Sequence, residues 1–77
     1  MRKYSQILGK WYEADDGNLA YLTNMLQVKR YLSNGASEDL VDILFTGTKR
    51  EDSLVFVFKK TPLIKKKKKK WQAHELN

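Results

Sequence analysis

The chain has 77 residues, no cysteine, one histidine and a net charge of +6. That length allows one domain with one modest core. The lack of cysteine excludes disulfides and thiolate metal sites, and His74 alone cannot build a zinc centre. No apolar run reaches the roughly 18–20 residues that span a membrane. The opening MRKYSQILGKWYEADDG has no apolar core of the kind a signal peptide needs, so an intracellular protein is expected.

In chain order, residues 1–14 come first. Tyr4, Ile7, Leu8, Trp11 and Tyr12 give apolar surface whose spacing fits neither the helical nor the strand period, so the segment reads as a strand or a packed arm. Asp15-Asp16-Gly17-Asn18 is a turn and helix-start signal. From there Tyr21, Met25, Val28 and Leu32 recur at i, i+4, i+7 and i+11, widened by Leu22 and Leu26, which predicts a helix over roughly 16–33. Asn34-Gly35 closes it, because glycine takes the left-handed conformation without a Cβ penalty.

Two readings stay open for the next segment. Ser37, Glu38 and Asp39 could start a short helix with Leu40, Val41, Leu44 and Phe45 on one face. Alternatively Val41, Ile43 and Phe45 alternate with Asp42 and Leu44 as a strand. The strand is favoured because Leu54-Val55-Phe56-Val57-Phe58, the densest β-branched and aromatic run, needs a partner. Gly47 to Ser53 would be the loop of the resulting hairpin. Leu54, Phe56 and Phe58 would then share one face, with Val55 and Val57 on the other. Thr61-Pro62 opens a second helix, threonine as cap and proline where its missing N–H matters least. Leu63, Ile64, Trp71 and Leu76 are its anchors.

The fold class expected is α+β, an antiparallel hairpin packed against two helices in a single domain over 1–77, with a basic C-terminal helix over 59–77. A hairpin alone is marginal in water. Either residues 3–12 supply a third strand, or two chains pair as a homodimer.

A helix ending in Leu32-Ser33-Asn34-Gly35 and preceded by Leu19-Ala20-Tyr21-Leu22, a hairpin whose second strand reads Leu54-Val55-Phe56-Val57-Phe58, and a later helix carrying Trp71 resemble an uncharacterised small-domain family of phages and Gram-positive mobile elements. The resemblance covers about residues 15–75. It implies a strand at 40–46 and a mobile-element origin, and it brings no activity with it. The six-lysine run departs from it.

The charge is unevenly placed. Lys59, Lys60 and Lys65, Lys66, Lys67, Lys68, Lys69 and Lys70 are eight of the fifteen basic residues, with no acid among them. The other seven face nine acids, so the body carries −2 and the tail carries the basicity. Six consecutive lysines on a helix point in every direction, since each residue turns about 100°. Like charges at i and i+4 repel by a few tenths of a kcal/mol, and the helix dipole disfavours positive charge near the start. A polyanion relieves both, and the backbone of DNA or RNA is the commonest such partner. The competing reading is a solvated face with Lys67 or Lys68 laid over the core.

Trp71 could stack on a base, although a tryptophan two turns after Leu63-Ile64 more often completes a core. His74 and Glu75 are neighbours on a helix and do not face each other. Asp15-Asp16 and Glu51-Asp52 read as cap and loop. No glycine-rich phosphate loop, nucleophile elbow or carboxylate pair is present, so neither an enzyme nor a cofactor is expected. Three function classes follow. The first is non-specific nucleic-acid binding through Lys59–Lys70 and Trp71. The second is a protein-interaction module of phage or mobile-element type that meets an acidic surface and modulates a host protein. The third is a basic helix lying on an anionic membrane, which its scarcity of apolar residues disfavours.

Overall fold

The structure, a computed structural model, describes residues 1–15, 17–45 and 54–75. Two antiparallel sheets and two helices form an α+β fold. The expected loop at Gly47–Ser53, together with Asp16 and Leu76, lies outside the described residues.

The first fourteen residues make their own hairpin. Strand β1 (Arg2–Ser5) pairs with β2 (Lys10–Glu13), from Arg2 opposite Glu13 to Ser5 opposite Lys10. Ser5 organises the turn: its buried Oγ accepts from the Leu8 N–H at 3.0 Å, and its carbonyl accepts from Gly9 N–H at 2.8 Å. Gly9 has φ +66°, a conformation that a Cβ would strain. Outside, Tyr4 meets Trp11 edge-to-face at 5.2 Å, and the Arg2 guanidinium sits 5.4 Å from the Trp11 ring. The expectation that residues 3–12 join the hairpin of 40–58 as a third strand is therefore corrected. This segment pairs with itself as a separate two-stranded sheet, and its Tyr12 packs against Leu19 and Val57 of the main sheet.

The third strand comes from residues predicted to be helical. Strand β3 spans Leu19–Leu22, and helix α1 begins only at Met25 and ends at Ser33. Asn24 is the physical reason: its Oδ1 accepts from the N–H groups of Leu26 and Gln27 at 3.0 and 3.3 Å and caps the helix there. The stripe from Tyr21 to Leu32 thus runs across an element boundary. Within α1 the buried side chains are Val28 and Tyr31, while Met25 and Leu26 are exposed. The end of α1 is as expected, with Asn34 as C-cap and Gly35 at φ +91°.

Of the two readings of the next segment the strand holds, and the expected helix, with Leu40, Val41, Leu44 and Phe45 on one face, shrinks to a single uncapped turn. Ser37–Asp39 form one 3-10 turn, and strand β4 follows at Leu40–Phe45. Strand β5 (Leu54–Lys59) pairs with β4 on one side and β3 on the other, so the order is β3-β5-β4. The central position of β5 explains its composition, since Val57 and Phe58 are both fully buried on opposite faces. On one face Phe58 meets Tyr31 edge-to-face at 5.7 Å, within a cluster that includes Val28, Ala36 and Ile64. On the other, Val57 packs with Tyr12 and Leu19 beneath the β1–β2 hairpin.

The simple alternation expected of β4 fails at its start. Leu40 lies opposite Phe58 and Asp42 opposite Val57, so β4 carries one extra residue, a bulge. Leu40 packs towards the helices, whereas Val41 joins the Tyr12 cluster. Asp42 is buried, and its Oδ2 accepts from the Tyr12 hydroxyl at 2.6 Å while Oδ1 accepts from Ile43 N–H. Burial, then the hydrogen bond and negative charge of Asp42, push the Tyr12 hydroxyl up to about 12.

Candidate nucleic-acid interface

Helix α2 (Pro62–Gln72) carries the lysine run. Its start is fixed twice by Thr61: the Oγ1 accepts from Ile64 N–H at 3.3 Å and donates to Asp39 Oδ2 at 3.0 Å. The second bond ties the helix to the turn that precedes β4. Proline at the first position needs no hydrogen-bond partner there. At the far end His74 adopts φ +59°, with its N–H donating to the Trp71 carbonyl at 3.1 Å and Glu75 N–H donating to Lys70 at 2.8 Å. His74 therefore closes the helix in the left-handed cap conformation.

The basic helix is shorter than the expected 59–77. Lys59 is the last residue of β5, and Lys60 lies in the link before Thr61. Lys59 stands opposite Leu19, on the sheet face that carries the β1–β2 hairpin, and lines a shallow depression with Trp11 and Glu13. It is therefore separated from the helical lysines by the sheet.

The turn of 100° per residue sorts the run. Ile64, Lys67 and Trp71 fall at i, i+3 and i+7 and form the inward stripe. Ile64 is buried, Trp71 packs against the Phe58–Tyr31 cluster, and Lys67 is only 7% exposed. Leu63 is exposed. Every fully buried side-chain nitrogen or oxygen among the described residues has a partner. The Lys67 stem therefore runs along the core, with the ammonium at its margin. Lys65, Lys66, Lys68, Lys69 and Lys70 remain exposed.

These five have no acidic partner among the described residues. Glu13 pairs with Arg2 at 3.7 Å, Asp42 is taken by Tyr12 and Asp39 by Thr61. The exposed lysines divide again by what lies beside them. Lys65 and Lys68, with Lys60, border a groove of about 520 Å³ between β3 and α2, walled also by Leu22, Tyr31, Ile64 and Trp71. Lys66, Lys69 and Lys70 do not line this groove and are exposed. Trp71 is thus a core anchor with part of its ring at the groove wall.

No cluster of three or more metal-ligating side chains occurs among the described residues. Nor is any helix among them long and apolar enough to cross a membrane. Comparison with family models, with curated proteins and with solved structures gives no match.

Proposed function

We propose that the chain is a non-enzymatic binding protein that holds nucleic acid without sequence preference, through the exposed lysines of α2. One observation carries this reading: five lysines stand on one capped, core-anchored helix, exposed and without an acidic partner among the described residues. Their mutual repulsion persists in the free protein and is relieved when phosphates replace the counterions they hold. A duplex surface suits such an array, because backbone contacts need charge and reach rather than a shaped pocket. An acidic protein surface is the second reading, with the mobile-element origin that the family resemblance implies, and the unpaired edge of β3 favours it.

The experiment is a titration of a fluorescent 20-base-pair duplex at several salt concentrations. With about five phosphates contacted, the log–log slope of affinity on salt should be about −4.5, and scrambling the sequence should leave affinity unchanged. Replacing Lys66, Lys69 and Lys70 with glutamine keeps helix propensity and should bring the slope to about −2. Absence of binding at ~50 mM salt and micromolar protein would sink the reading, since non-specific affinities of about 10⁻⁴–10⁻⁶ M at physiological salt strengthen steeply as salt falls.

A further inference from the structure

β3 is an edge strand, paired with β5 on one side only among the described residues. Which of its backbone groups are free follows from the ladder. Lys60 N–H donates to Asn18 O at 2.8 Å, and these two residues stand opposite each other in continuation of the Leu19–Lys59 and Ala20–Phe58 pairs. Hydrogen-bonded and non-bonded pairs alternate in an antiparallel ladder. Ala20 and Leu22 therefore bond to β5, and the N–H and C=O groups of Leu19 and Tyr21 point outward.

They point to the groove described above. All four β3 residues line one wall, and Ile64, Lys65, Lys68, Trp71 and Gln72 of α2 line the other. The walls match in length: four strand residues extend about 13 Å, and Ile64 to Gln72 rise about 12 Å along the helix. A free strand edge facing a helix across a groove is the geometry that accepts an extended peptide as an added strand. The rim charge selects its chemistry, because Lys60, Lys65 and Lys68 border the groove and no acid among the described residues does.

We propose that the β3 edge takes an extended acidic peptide as a fourth strand of the sheet. Its backbone pairs with Leu19 and Tyr21, its aliphatic side chains pack on Leu22 and the accessible part of Trp71, and its carboxylates meet Lys60, Lys65 and Lys68. An unpaired nucleobase fits less well. Trp71 is committed to the core cluster. Tyr21 alternates with Ala20 and Leu22, which face the helices, so its ring lies on the other side of the sheet. Stacking would also leave the outward backbone groups unused. The site shares Lys65 and Lys68 with the nucleic-acid reading, whose other lysines, Lys66, Lys69 and Lys70, do not line this groove.

The test is an NMR titration of the full ¹⁵N-labelled chain with a blocked ten-residue peptide of alternating Glu and Val, its Lys–Val counterpart, and a ten-nucleotide oligothymidine. The Glu–Val peptide should shift the amides of β3 and slow hydrogen exchange at Leu19 and Tyr21, and the Lys–Val peptide should do neither. Tyr21→Pro removes an outward N–H, a change that an edge strand tolerates on its free side, and should abolish the effect. Lys60, Lys65 and Lys68 replaced by glutamine should weaken binding about three- to thirtyfold and keeps the test decisive if the proline variant does not fold. Lys66, Lys69 and Lys70 replaced by glutamine should leave peptide binding within about twofold while flattening the duplex salt slope. The proposal is overturned if millimolar Glu–Val peptide leaves β3 unmoved, or if the Lys–Val peptide binds equally. It also fails if only the oligothymidine moves these amides, or if peptide binding survives loss of the groove lysines and falls with loss of Lys66, Lys69 and Lys70.

Discussion

The two faces of the three-stranded sheet are covered by different physics. Towards the helices, Phe58, Tyr31, Val28, Ala36 and Ile64 form a buried apolar cluster that includes an edge-to-face aromatic pair. Towards the β1–β2 hairpin the buried apolar set among the described residues is Tyr12, Leu19 and Val57, and beside it lies a buried carboxylate. The first face is held by volume removed from water, which is strong and tolerant of small shifts. The second combines a smaller apolar set with a directional bond, Tyr12 to Asp42, whose geometry constrains where the hairpin sits. Stability should therefore reside mainly on the helix face, and the position of the hairpin on the other.

The largest effect expected is on the helix face. Phe58→Ala should cost about 3–5 kcal/mol, enough to unfold a domain of this size. Phe56 shares that face but is only half-buried, so Phe56→Ala should cost clearly less. Urea melts would check the order. Equal losses at the two positions would mean that burial on this face is not what the comparison assumes.

On the hairpin face Tyr12→Phe keeps the ring and deletes the donor, leaving Asp42 Oδ2 buried without it. The expected loss is about 1–3 kcal/mol, with duplex binding unchanged because α2 is not involved. A loss as large as that of Phe58→Ala would erase the distinction between the faces.

The same pair gives a pH dependence. The Tyr12 hydroxyl is raised from its ordinary value near 10 to about 12 in the folded protein. Its contribution is therefore fully present below about pH 10 and is lost as pH rises towards 12. Lysines lose charge in the same range, so the measurement is the difference between wild type and Tyr12→Phe. That difference should shrink steadily over the window, and a constant gap would deny the bond its role.

The helix face was more legible in the sequence than the hairpin face, and the reason is local. The alternation of Leu54–Phe58, the Asn34-Gly35 stop and the Thr61-Pro62 start each report a rule that acts within a few residues. β3 was hidden because Tyr21 lies by chance in register with the α1 stripe, and Asn24, whose side chain interrupts the helix, was passed over as an interior residue. The cap signal was there, asparagine just before Met25. The Tyr12–Asp42 bond spans thirty positions and depends on a bulge, so no local pattern carries it. At the candidate site the sequence marked all the lysines alike. It raised the option of Lys67 lying over the core but could not separate Lys59 from the helix. Nor could it show the groove, since that needs β3 to be a strand at an edge.

The smallest effects expected concern Lys67 against Lys66, and they test whether the helix is sorted as described. Lys66 is exposed, so Lys66→Gln should leave stability nearly unchanged and reduce the duplex salt slope by about 0.9, one phosphate's share. Lys67 is almost covered, and its stem fills space that an apolar chain of similar length can fill. Lys67→Met should therefore hold or slightly raise stability, because the packing survives and the charge near the core goes. It should change the salt slope by less than half as much as Lys66→Gln. The two variants reverse the expectation for a uniformly solvated run, in which each lysine would count equally for binding and neither for stability. Equal slope changes would show that the ammonium of Lys67 reaches phosphate as freely as its neighbours do. A clear loss of stability in Lys67→Met would show instead that the ammonium itself, and not the stem, is what the fold uses.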